Sequence, residues 1–187
     1  MKIFFHAPIS DQYRDFYMSL YEYLSTLGHE QTSDFAIAYS KNDLNSNQMR
    51  KEAQDLLHKQ VANIKKADVL VMGANEQSVG CGFFLNMAMK LSKPIVLITE
   101  NLVDMPFFYA SLSYNKLMTV ECNNKNYRTV LPERLNEAKK QIDKRFTLLL
   151  PPDVVEMLDK HYKRSGQTRS DYIRDLIRQD QEKRQAS

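Results

Sequence analysis

The sequence has little with which to cross a membrane, build a disulfide framework or hold a metal ion, and each shortage removes a class of protein. Its longest apolar stretches, such as PIVLI at 94–98, stop far short of the ~20 residues that a membrane-spanning helix needs. The opening MKIFFHAPIS meets charge and helix-capping residues too soon for a secretion signal, so a cytoplasmic location with no membrane partner is expected. Only two cysteines are present, Cys81 and Cys122; they lack metal-ligand spacing and are expected to stay reduced. No pair of His, Cys or carboxylate residues has the spacing of a metal site, and no cofactor is implied. There is no internal repeat and no low-complexity stretch.

What is present is an ordinary globular composition. The 187 residues are 43% apolar and 26% charged, enough for one medium domain and a small appendage. The net charge of +3 is unevenly placed. Lys144 to Ser187 hold ten basic and seven acidic residues, which leaves sixteen of the 26 basic and sixteen of the 23 acidic residues in the first 143. All of the excess positive charge therefore sits in the tail, as a phosphate-binding module requires.

The first 143 residues alternate between strand and helix patterns. Lys2 to His6 is a compact apolar run. Ser10 or Asp11 is placed to cap a helix whose Tyr13, Phe16, Tyr17, Leu20, Tyr21 and Leu24 recur at three- and four-residue spacing until Gly28. Phe35 to Tyr39 reads as a second strand. Met49, Ala53, Leu56, Leu57, Val61 and Ile64 mark a long helix, and Val69 to Met72 a strand. Phe83 to Leu91 reads as helix, Pro94 to Ile98 and Lys116 to Glu121 as strands, and Pro132 to Asp143 as a closing helix. Such alternation predicts an α/β fold, a parallel sheet covered on both faces.

Ligands of such sheets bind beyond the carboxyl ends of the strands. The loops there are His6-Ala7-Pro8-Ile9-Ser10 and Gly73 to Gly82, GANEQSVGCG, whose serine and glycines allow backbone amides to approach an anion or merely suit the turn. From Ala67 to Ile98, ADVLVMGANEQSVGCGFFLNMAMKLSKPIVLI, together with the opening KIFFHAPIS, the chain resembles the nucleoside 2-deoxyribosyltransferase superfamily, and within it the 2′-deoxynucleoside 5′-phosphate N-hydrolases. The likeness extends loosely from Lys2 to Asp143. It implies a flavodoxin-like homodimer that holds a nucleotide or nucleoside in these loops: Ala7 and Pro8 in the first, Ser78, Gly80 and Gly82 in the phosphate-holding turn, and Ser111 contributed from a partner subunit.

The same resemblance argues against catalysis. Cleavage of an N-glycosidic bond builds cationic character at the sugar, which these enzymes meet with a carboxylate. Phe84 stands where the family has its glutamate and Gln60 where the hydrolases have a supporting aspartate, so no catalytic residue is assigned. Glu76, in the same loop, is the remaining acid that could substitute; Asp68, His6, His58 and His161 read as structural or exposed.

The tail has a separate pattern. In Arg145 to Leu150, Phe146, Leu148 and Leu150 fall on one face of a strand and Arg145, Thr147 and Leu149 on the other. A helix follows Pro151-Pro152-Asp153, with Val154, Val155, Met157, Leu158 and Tyr162 on its apolar face. Gly166 suits a positive-φ helix end. Thr168 then caps a second helix, with Asp171 three residues on and Ile173, Leu176 and Ile177 as core. The final QDQEKRQAS is expected to be frayed. Strand, LPP turn, glycine and threonine-serine cap resemble, in order and spacing, the ribbon-helix-helix DNA-binding family. That resemblance implies two copies whose paired strands enter the major groove, with Arg145, Thr147 and Leu149 facing the bases and Thr168, Arg169 and Ser170 at a backbone phosphate.

The domain boundary is thus expected between 143 and 144, with a nucleoside 2-deoxyribosyltransferase-like domain at 1–143 and a ribbon-helix-helix domain at 144–187. The combined expectation is a homodimeric, sequence-specific regulator that binds double-stranded DNA and whose first domain is a silent enzyme serving dimerisation and nucleotide sensing. A nucleotide N-glycosidase or deoxyribosyltransferase with an assembly tail, and an accessory protein of plasmid partition or DNA transfer, stay open as alternatives, as does stacking of dimers on DNA.

Overall fold

In the computed structural model, residues 1–40, 43, 46–144 and 147–185 are described, Arg50 by its backbone alone. They divide into two compact units, Met1–Asp143 and Lys144–Ser187.

The first unit is a five-stranded, all-parallel sheet with helices on both faces. Its strands are β1 (Lys2–His6), β2 (Glu30–Gln31), β3 (Val69–Gly73), β4 (Ile95–Thr99) and β5 (Leu117–Glu121), in the spatial order β2-β1-β3-β4-β5. This is the flavodoxin-like α/β fold. Its helices are α1 (Arg14–Thr26), α2 (Phe35–Ala38), α3 (Asn47–Lys66), α4 (Val79–Lys90), α5 (Phe107–Ala110) and α6 (Tyr127–Lys140). Alternate residues of β1, β3 and β4 feed two cores. Ile3, Phe5, Val69, Val71, Val96 and Ile98 pack under α1 and α6, while Phe4, Leu70, Met72, Ile95 and Leu97 pack under α3 and α4. Every residue of β3 and β4 is buried, as central parallel strands covered on both faces require.

Several boundaries differ from the sequence reading. Phe35 to Tyr39 is not a strand: Phe35–Ala38 is one helical turn, and the second strand is the two-residue Glu30–Gln31 upstream. The guanidinium of Arg14 donates to the carbonyl oxygens of Ile37 and Tyr39, both at 3.0 Å, which satisfies this segment without a sheet neighbour. The α1 helix begins at Arg14, since Ser10 Oγ accepts from the amide of Tyr13 in the turn before it. Helix α4 begins at Val79 instead of Phe83, because Ser78 caps it through a 3.0 Å bond from the amide of Cys81. Helix α6 begins at Tyr127 and carries Pro132 inside it.

The second unit consists of α7 (Pro152–Ser165) and α8 (Arg169–Gln185). Pro152 opens α7, where its missing N–H is not needed, and Asp153 lies in the favourable first turn. Gly166 ends it at φ 71°, and its amide reaches the Tyr162 carbonyl at 2.8 Å. His161 stacks on Tyr172 with ring centroids 3.7 Å apart. Gln167 bonds to both His161 and Asp175, which ties the turn to both helices. Of the segment expected to fray from Gln179, Gln179–Gln185 is helical in α8, with an Arg184–Asp180 ion pair one turn apart, and Ala186 and Ser187 lie outside the described residues. Among the described residues no helix is long and apolar enough to cross a membrane.

Candidate functional site

The order of the sheet reverses between β1 and β3, and the crevice at the carboxyl ends of these strands is where open α/β sheets take ligands. The loops after β1 and β3 converge there. Ser78 and Gly82 line an open groove of about 380 Å3 together with Gln77, Val79, Phe108 and Tyr109. Gly80 lies one residue off that lining, where a Cβ would meet His6 Nε2 at 3.4 Å. Ala7 and Pro8 are buried in the sheet end, and Ser111 is exposed on the surface, donating to the carbonyl of Phe108 at 3.2 Å. The structure thus brings Ser78 and Gly82 into one groove with Phe108 and Tyr109, and Gly80 against His6 at the end of β1.

Four buried polar atoms at this end of the sheet lie outside good hydrogen-bond geometry among the described residues: His6 Nδ1, Asn75 Nδ2, the Tyr17 hydroxyl, which lies beside Asn75, and the Tyr109 hydroxyl, which lies beside Ser78 and Cys81. Burial drives the His6 imidazole down to about 4, so it is neutral near pH 7. Burial also raises the Tyr17 and Tyr109 phenols far above their ordinary range, and Cys81 to about 11. Each phenol stays protonated near pH 7. Tyr17 and Tyr109 did not stand out in the sequence as site residues, because their spacing reads equally well as core.

Phe84 and Gln60, the two positions that the sequence resemblance singled out, both carry uncharged side chains. Phe84 is buried, with its ring 4.7 Å from that of His6 and 5.1 Å from that of Phe4. Phe35 also stacks with His6, ring centroids 5.9 Å apart. Gln60, also buried, accepts from the Ser33 hydroxyl at 2.5 Å, a bond that anchors the turn after β2. Aromatic packing surrounds Phe84, and an amide-hydroxyl pair holds Gln60.

In the tail, Arg145 and Phe146 lie outside the described residues. Thr147, Leu148 and Leu149 are exposed, and Thr147–Leu150 adopt no strand in the single chain. An isolated segment has no neighbour to receive its ladder hydrogen bonds, so a ribbon of this kind forms only against a second one. The two helices likewise lack a cover. Among the described residues Leu158 is the one buried in α7 and none is buried in α8, while Met157 and Tyr162 are each 52% exposed and Leu176 and Ile177 are 43% and 56% exposed. At the start of α8 the Thr168 hydroxyl accepts from the amide of Asp171 at 3.2 Å and donates to its carboxylate at 2.6 Å. Thr168, Arg169 and Ser170 line an open groove of about 310 Å3 with Asp159 and Tyr162.

Comparison with known proteins follows this division into units. No curated protein matches the chain. Among solved structures, a 2-deoxyribosyltransferase from the psychrotolerant bacterium Bacillus psychrosaccharolyticus superposes with a TM-score of 0.52 at 16% identity, over 79% of this chain and 100% of that one. The Clostridium botulinum CMP N-glycosidase BcmB gives a TM-score of 0.48 at 16% identity, over 73% of this chain and 99% of that one. At such identity the first likeness establishes the fold. Residues 144–183 match the family described as ribbon-helix-helix protein, copG family, so that the chain joins a ribbon-helix-helix domain to an α/β unit with the nucleoside 2-deoxyribosyltransferase-like fold.

Proposed function

We propose that this protein is a homodimeric, sequence-specific DNA-binding regulator, and that its α/β unit is a silent relative of nucleotide-processing enzymes that serves dimerisation and nucleotide sensing. The observation that carries the reading is the tail. Its apolar residues Leu148, Met157, Tyr162, Leu176 and Ile177 are uncovered in one chain, and its ribbon segment lacks a neighbour. A second copy supplies both, burying the apolar faces and pairing the ribbons antiparallel, and the ribbon-helix-helix match supports this arrangement. The paired ribbon presents Arg145, Thr147 and Leu149 to base edges in the major groove. Thr168, Arg169 and Ser170 place the start of α8 at a phosphate, where free amides and the helix dipole favour an anion.

Silence of the α/β unit is supported by Phe84 and Gln60 at the acid positions and by the neutral, ring-enclosed His6. Ser78, Gly80 and Gly82 at the start of α4 remain suited to a nucleotide's phosphate. A ligand there shifts DNA binding only by as much as it prefers one arrangement of the tails.

The test is selection of genomic fragments by the purified full-length chain, at stated salt, with and without a nucleotide panel. One enriched sequence motif, weakened by Arg145→Ala and Thr147→Ala, is expected; equal recovery of all fragments rejects sequence recognition. Incubation with deoxynucleotides followed by chromatography is expected to release no free base. Turnover that disappears in Glu76→Gln would restore a glycosidase.

A further inference from the structure

The groove at the start of α8 contains an acid where an anion-binding site should have none. The carboxylate of Asp159, from the middle of α7, is ion-paired with the guanidinium of Arg169, the first residue of α8. The other polar groups divide into committed and free. Thr168 and Asp171 bond to each other, and Asp171 also pairs with Arg174 at 2.6 Å. The backbone amides of Arg169 and Ser170 have no acceptor among the described residues, as expected for the first turn of a helix. The groove therefore offers a phosphate two amides, the Ser170 hydroxyl and one guanidinium, and the guanidinium is already held.

We infer that Asp159 stands in for a DNA phosphate on Arg169 and so holds down the tail's affinity for the DNA backbone, an inference that rests on the proposed DNA-binding function. The side chains of Asp159 and Arg169 are 39% and 55% exposed, so their pair is weak and exchangeable. Binding swaps one ion pair for another and leaves a carboxylate near the phosphate. The penalty is the same for every sequence, because phosphates carry no sequence information. Discrimination is left to the ribbon.

The experiment measures binding of the full-length protein to its selected site and to a scrambled duplex over a range of salt. Asp159→Asn is expected to bind both duplexes about two- to five-fold more tightly, with a slope of log K against log salt steeper by about one. Asp159→Glu, which keeps the charge, should stay within two-fold of wild type. In an Arg169→Gln background the gain from Asp159→Asn should fall below about two-fold. Wild-type binding with no gain and no change of slope in Asp159→Asn overturns the inference, as does a gain of full size without Arg169. Absence of any wild-type binding at low salt overturns the DNA-binding reading itself, and this inference with it. Thermal unfolding of each variant within a few degrees of wild type excludes a fold defect.

Discussion

The ring of Tyr17 lies directly against the backbone of Gly73, where a Cβ would come within 2.5 Å of Tyr17 Cε1. Gly73 is the last residue of β3 and Tyr17 is fully enclosed in the core under α1, so neither partner has room to move. Gly73→Ala is expected to destabilise the α/β unit by about 1–3 kcal/mol through overpacking. Combining it with Tyr17→Leu should recover part of that loss. Urea unfolding followed by circular dichroism measures both, and an unchanged midpoint for Gly73→Ala would show that the contact relaxes freely.

Helix α6 holds a proline in its second turn. Pro132 has no N–H to give to the carbonyl of Arg128, and that oxygen instead accepts from the Tyr23 hydroxyl at 2.8 Å. Tyr23→Phe should lower stability by about 1 kcal/mol. In a Pro132→Ala background, where the new backbone amide can donate to the same carbonyl, the cost should shrink. A double-mutant cycle reads the coupling, and strictly additive values would reject it.

His6 makes the α/β unit acid-sensitive. Burial places its pKa near 4 in the folded chain, against about 6.5 when unfolded. As pH falls through this window the unfolded chain takes up the proton first, so stability is full above about 6.5 and is lost progressively toward 4. The loss from pH 7 to pH 4.5 should be on the order of 2–3 kcal/mol. His6→Leu should remove that share, and parallel urea titrations of both proteins at the two pH values compare the slopes directly.

The tail should assemble through its uncovered apolar residues. Met157→Glu and Leu176→Glu each place a charge on the face that a second copy would bury. Both are expected to shift the tail from dimer toward monomer in sedimentation, and to weaken DNA binding with it. A tail excised at residue 144 that stays monomeric at all concentrations contradicts this assembly.

Gly166 is required by its backbone. At φ 71° an alanine is strained, so Gly166→Ala should cost about 1 kcal/mol, read as a lower thermal midpoint of the excised tail dimer.

Much of the fold was legible in local pattern. Four of the five strands and the long helices followed from apolar runs and three- to four-residue spacing, because a buried parallel strand and an amphipathic helix each leave a period in the sequence. The segment from Phe35 to Tyr39 did not yield. Five mostly apolar residues fit a strand or a helical turn equally, and the choice fell to Arg14, which is distant in sequence and binds the carbonyls of Ile37 and Tyr39. The start of α4 at Val79 was hidden because it depends on which serine caps the helix. The burial of the Tyr17 and Tyr109 hydroxyls depends on neighbours that no spacing reveals.

By itself the sequence determined the α/β alternation, the uncharged Phe84 and Gln60, and a tail whose Gly166 and Thr168 mark out two helices, since these are properties of residue type and local order. Tertiary structure alone decided that Phe108 and Tyr109 meet Ser78 and Gly82 in one groove, that aromatic rings close around a neutral His6, and that Asp159 reaches Arg169. Those are distances between residues far apart along the chain or on different elements, and only packing sets them.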